Sequence, residues 1–127
     1  PDVPQGRSGE WKDTPAKAEK AYAVEGPASI NVCAQCPPGW RIPYDKTVEI
    51  ASLAVKTAFW PLFEVEDGEW KMTTRRVTRE GRLPIEEFMK PQGRFKHLFK
   101  PENAELLATI QKEVDRNFDY VLKRCGL

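Results

Sequence analysis

Apolar residues recur along this chain with two different periods, and each period predicts its own kind of element. Leu107, Ile110, Val114, Phe118, Val121 and Leu122 fall on one face of a helix bounded by Pro101 and Gly126. Ile50, Leu53, Ala54, Thr57 and Ala58 repeat the spacing, predicting a second helix capped by Asp45 and ending near Trp60 and Pro61. A shorter helix is expected from about Pro15 to Val24, with Thr14 as N-cap, Pro15 in the first turn and Gly26 closing it in a left-handed conformation. Residues 28 to 34 alternate instead, with Ile30 and Val32 on one side and Ser29, Asn31 and Cys33 on the other, which predicts a strand. Around Asp67 and Gly68, a favoured pair for a tight hairpin turn, the pattern sets Phe63 opposite Met72, Glu64 opposite Lys71 and Val65 opposite Trp70.

Two stretches carry no period. Residues 1 to 11 mix proline, glycine and charge and are assigned no structure. Residues 74 to 100 carry Pro84, Pro91 and Gly93 with Phe88, Phe95, Leu98 and Phe99 scattered between them. A loop of that length suggests a segment that wraps a partner, with its aromatics as anchors in a neighbour's pockets. Between Cys36 and Arg41 the prolines and a glycine stop the strand, so Cys36 stands just beyond its C-terminal end. In sheets fed by helices, that edge is where ligands bind.

Composition narrows the function classes. With 127 residues, 20 Lys plus Arg against 19 Asp plus Glu, the chain has no global field to attract nucleic acid or an anionic membrane. No apolar run approaches a bilayer span and no signal-peptide core is visible, so a soluble, cytoplasmic protein is expected. Three cysteines cannot all pair, and a reducing compartment follows.

Few residues offer chemistry. Cys33 and Cys36 have the spacing of half a zinc site or a redox pair. Zinc would need four ligands, with only Cys125 and His97 left to supply them. A thioredoxin-like motif opens a helix, whereas Cys33 lies in the predicted strand, where it reads as a small buried hydrophobe. Cys36 differs, because a proline-rich turn holds its backbone and leaves its sulfur free to point outward. His97 lies among Arg94, Lys96 and Lys100 without a carboxylate orienter nearby in sequence and reads as a surface or interface residue. Glu86 and Glu87 read as a solvated face. Arg75, Arg76, Arg79 and Arg82 suit either a phosphate or docking on acidic patches of another subunit, and docking is the preferred reading, since no glycine-rich phosphate loop is present.

Residues 25 to 50, with Ala34-Gln35-Cys36-Pro37 at their centre, resemble the C-terminal region of the β subunit of pyruvate:ferredoxin oxidoreductase, of the 2-oxoacid:ferredoxin oxidoreductase family. Trp60-Pro61-Leu62-Phe63-Glu64 and the run from Pro91 to Leu98 resemble it too, in the same order. The resemblance implies an α/β chain: the C-terminal portion of a thiamin-diphosphate-binding fold, with a β-hairpin and an extended helical tail. Residues 1–13 are then a linker or cut end, 14–60 the end of the thiamin-diphosphate-binding domain, and 61–127 the hairpin and subunit-wrapping tail. It implies oxidative decarboxylation of a 2-oxoacid, pyruvate or another such as phenylglyoxylate, to an acyl-CoA. Thiamin diphosphate, Mg²⁺ and [4Fe–4S] clusters would serve, with coenzyme A as co-substrate, ferredoxin as electron acceptor and other subunits as partners.

Where the family has Ala-Pro-Cys-Pro, its cysteine ligating a cluster, this chain has Cys36, which inherits that role by resemblance. The family's other three cysteines and the segment that holds thiamin diphosphate and Mg²⁺ are not in this sequence, so no thiamin ligand is assigned. From another class, the rival expectation is a small adaptor without redox chemistry.

Overall fold

The computed structural model describes residues 5–7, 12–74, 77, 78 and 80–127. It is mixed α/β. β1 (Gln5–Arg7) pairs in parallel with β2 (Asn31–Cys33), aligning Gly6 with Val32. A strand therefore stands where the sequence shows no period, because pairing with β2 and not an amphipathic pattern defines it. α1 (Asp13–Ala23) connects the two strands. It begins at Asp13 and not after Thr14, placing Pro15 within the first turn, where a missing N–H leaves no helical bond unmade. Its end is also unlike the expectation: Val24 turns the chain extended, and the positive φ falls later, at Gly26 (152°), a value that favours glycine.

After β2, a one-turn helix α2 (Pro37–Trp40) starts at Cys36. A 3₁₀ turn (Tyr44–Lys46) then leads into α3 (Thr47–Lys56). Asp45 lies within that turn and caps nothing; the Thr47 hydroxyl ties the corner by donating to the Tyr44 carbonyl at 3.1 Å. α3 buries Ile50, Ala51, Ala54 and Val55 and stops short of Trp60. Ala58 takes a left-handed φ of 60° and the Trp60 N–H folds back onto the Ala54 carbonyl at 2.9 Å. This bend brings Trp60 against both apolar clusters of the chain.

β3 (Phe63–Glu66) and β4 (Glu69–Met72) pair in the register expected from the sequence, Phe63 with Met72 and Val65 with Trp70. Asp67 and Gly68 both have positive φ, 50° and 80°, as the tight hairpin turn requires. Phe63 stacks on Trp70, which meets Tyr120 edge-on, so the hairpin's aromatic face is partly covered from within the chain.

The segment between the hairpin and the last helix is not a free strap. It forms α4 (Ile85–Met89) and a 3₁₀ stretch (Gly93–Phe99). Ile85 and Phe88 are fully buried, and with Met89 and Leu98 they pack against Ile42, Ile50, Ala54 and Val114. Phe88, expected as an anchor for a neighbour, is thus a centre of this chain's own core. No periodicity announced it, because a five-residue helix is too short to display one.

α5 (Ala104–Arg124) buries Val114, Phe118, Val121 and Leu122 as its stripe predicts. Lys123 and Arg124 lie in the last turn, where basic side chains oppose the helix dipole, and Gly126 (φ 73°) lets the Leu127 N–H close onto the Leu122 carbonyl. Among the described residues, no helix is long and apolar enough to cross a membrane.

Candidate metal centre

Cys36 is the exposed cysteine of the three, none of which is in a disulfide bond. It sits in extended backbone as the residue before α2, and Pro37 and Pro38 open that helix with the φ they already favour. The Trp40 N–H donates to the Cys36 carbonyl at 2.7 Å and the Ile42 N–H to the Pro37 carbonyl at 3.1 Å, closing the turn. Gly39 lies directly under the sulfur: a Cβ there would stand 3.2 Å from Cys36 Sγ, tighter than ordinary contact. The absence of a side chain at Gly39 leaves room for that of Cys36.

Its rigidity comes from elsewhere. Arg41 adopts a left-handed φ of 54°, and its carbonyl accepts the Gly93 N–H at 3.1 Å. Any side chain at position 93 would collide with Arg41, its Cβ 2.7 Å from that of Arg41. Trp40 meets the buried Phe88 ring edge-on at 6.2 Å. The Arg94 guanidinium lies 3.9 Å from the Trp40 ring centroid and 4.4 Å from that of Phe95, and its Nε donates to Gln92 Oε1 at 2.7 Å. Gln92, 1 % exposed, donates its amide to the Phe88 carbonyl at 2.6 Å. Burial lowers the Arg94 pKa, against a smaller opposing effect of Cys33.

The remaining candidates separate. Cys33 closes β2 half-buried, less covered than the small buried hydrophobe expected there. Cys125 belongs to the far end of α5, where burial raises its thiol pKa against a lowering backbone hydrogen bond with Met72. His97 is exposed, and its carbonyl accepts from Asn103 at 2.6 Å. Glu86 and Glu87 are exposed, as a solvated face should be. Arg82 pairs through one Nη with Asp115 of this same chain at 2.9 Å and lies over Phe118. Arg75, Arg76 and Arg79 lie outside the described residues.

Among the described residues no three His, Cys, Asp or Glu side chains converge as metal ligands. An exposed thiol on a braced turn suits one corner of a [4Fe–4S] cluster, and the donors present here do not suffice for a whole one. The sequence alone does not single out Gln92 and Arg94 as braces of the Cys36 turn. Their signal was the run from Pro91 to Leu98, which shares the resemblance, but nothing along the chain says that it packs on Trp40.

A scan against protein-family models finds no match. Individual proteins do match. The ketoisovalerate oxidoreductase subunit VorB of Pyrococcus abyssi is 47 % identical over 100 residues, which cover 79 % of this chain and 32 % of that protein. The pyruvate synthase subunit PorB of Pyrococcus horikoshii is 48 % identical over 111 residues, 75 % of this chain and 34 % of that protein. The PorB of Thermotoga maritima is 46 % identical over 110 residues, 84 % of this chain and 32 % of its own.

All three relatives are named as subunits, one of a ketoisovalerate oxidoreductase and two of a pyruvate synthase, and their likeness shows the family of this chain. The chain belongs to the β-subunit family of the 2-oxoacid:ferredoxin oxidoreductases. It spans about a third of the length of the curated relatives it matches.

Proposed function

We propose that this chain is the piece of a 2-oxoacid:ferredoxin oxidoreductase β subunit that supplies Cys36 to a [4Fe–4S] cluster. What supports this reading is the Cys36 turn, exposed at the cysteine and braced at the backbone, in a chain whose described residues bring no three metal-ligating side chains together. Bound there, a cluster would supply one-electron transfer away from the thiamin-dependent decarboxylation of a 2-oxoacid to an acyl-CoA, towards ferredoxin. The residues of this chain hold the thiolate and fix its direction. Thiamin diphosphate, Mg²⁺, the 2-oxoacid and coenzyme A belong to the rest of the assembly in this reading. Residues 14–60 would complete a thiamin-diphosphate-binding domain, and 61–127 would lie against other subunits. A cytoplasmic location goes with it, since an exposed thiol needs a reducing compartment.

Pyruvate is the proposed substrate. A second reading, a branched 2-oxoacid, is favoured by the VorB likeness, which equals the PorB likeness to within a few per cent. Equal likeness to enzymes named for two substrates fits a substrate choice made outside this segment.

In the purified complex, Cys36→Ser should abolish one cluster's EPR signal and its share of iron and sulfide, whereas Cys33→Ser should retain both. Equal loss in the two variants would make the cysteines a joint site. A parent complex without iron or sulfide would favour the adaptor reading.

A further inference from the structure

The Arg94 assembly braces the Cys36 turn and at the same time fixes a positive charge beside it. An arginine held between two aromatic faces and fixed through its Nε by a buried amide is costly to order, and it gives up hydration on the way. Its neighbours Lys96 and His97 on the same 3₁₀ stretch stay exposed, as basic residues ordinarily do. The geometry allows Arg94 no such freedom: Trp40 and Phe95 take its faces, at 3.9 and 4.4 Å. Gln92 Oε1 takes its Nε–H, and the Gln92 amide is locked in turn by the Phe88 carbonyl. Trp40 ends the same one-turn helix that Cys36 begins.

We propose that Arg94 is a positioning residue for the cluster ligated by Cys36: clamped on Trp40, it is a fixed positive charge that raises that cluster's reduction potential. This rests on the reading of Cys36 as a ligand. The physical reason is direct. Reduction adds negative charge to a cluster, and a cation held still in a half-buried, weakly screened place stabilises the reduced form more than the oxidised one. Guanidinium suits the task, since it keeps its charge after partial burial and stacks on indole without needing a carboxylate that would cancel its field. The clamp also couples the charge to the ligand, because the ring that holds Arg94 sits one helical turn from Cys36.

The test is an EPR-monitored redox titration of the assembled complex carrying Arg94→Gln, Arg94→Lys or, as control, Cys36→Ser. With iron retained, Arg94→Gln should shift the oxidised-to-reduced ratio at fixed potential about tenfold towards oxidised, roughly 59 mV for a one-electron couple. An unchanged midpoint with iron retained would overturn the proposal. Should Arg94→Gln fail to hold iron, Arg94→Lys decides. The proposal expects the lysine, which keeps the charge but not the stacked fork that fixes it, to retain iron with a midpoint at or below the parental one, and loss of iron or a raised midpoint in the lysine variant would reduce Arg94 to a packing residue. The control separates the two layers: if Cys36→Ser leaves the EPR signal intact, the ligand reading has failed, whatever Arg94 does.

Discussion

Between Cys33 and Arg41 the chain is half-buried or exposed and holds its shape with a few backbone hydrogen bonds. Around α3, α4 and the middle of α5 the opposite holds, with Ile50, Ala54, Ile85 and Phe88 at 1 % exposure or less. The first region presents a reactive atom and buries little of its own. The second buries almost everything and presents nothing. They meet at three points: the Trp40 ring on Phe88, the Gly93 N–H on the Arg41 carbonyl, and Arg94 across Trp40 and Phe95. A short turn that cannot generate its own rigidity takes it from a neighbouring core, which leaves the turn's surface free for a ligand.

Breaking the core should cost most. Phe88→Ala removes a fully buried ring packed on Trp40 and Phe59 and should lose about 3–5 kcal/mol in urea unfolding, whereas Cys36→Ser should stay within about 0.5 kcal/mol of the parent. Similar losses for both would erase the distinction between the regions. Gly93→Ala strikes the joint itself, since its methyl would need the space of Arg41 Cβ at 2.7 Å. A loss of about 1–3 kcal/mol is expected, together with a lower iron content in the complex, because the displaced Arg41 belongs to the Cys36 turn. A stability loss with iron content untouched would show that the turn stands without its brace.

The smallest effect concerns Lys17, buried like the core but polar. It donates to Asp13 at 2.6 Å and Thr73 at 2.8 Å, and burial lowers its pKa below 10.5 despite the pull of Asp13. The folded chain then holds fewer protons than the unfolded one between the lowered pKa and 10.5, so stability rises with pH through that window. The urea midpoint of the parent should climb relative to that of Lys17→Met as pH rises from neutral towards 10.5. A constant difference would mean that Asp13 and Thr73 fully offset the burial.

The hairpin and the segment behind it show how unevenly the fold is written along the chain. Phe63, Val65, Trp70 and Met72 alternate about an Asp-Gly turn, and their pairing is local, so register follows from neighbours in sequence. α5 is as plain, because 21 residues display its stripe over many turns. Phe88 and Leu98 carry no comparable signal. Each is placed by contact with residues far away along the chain, Ile42 and Ala54 among them.

What the sequence by itself determined about this protein is therefore what depends on nearby residues. The hairpin register, the buried face of α5 and the escape of Cys36 from its strand all follow from periodicity or from proline and glycine stereochemistry. Only the tertiary structure decided that the segment from Ile85 to Leu98 turns inward, that α3 stops at Lys56 so that Trp60 can bridge two clusters, and that Arg94 closes over Trp40. These are contacts between residues far apart in the chain. Their free energy appears only once loops have closed and water has left both surfaces, and no local pattern records that balance.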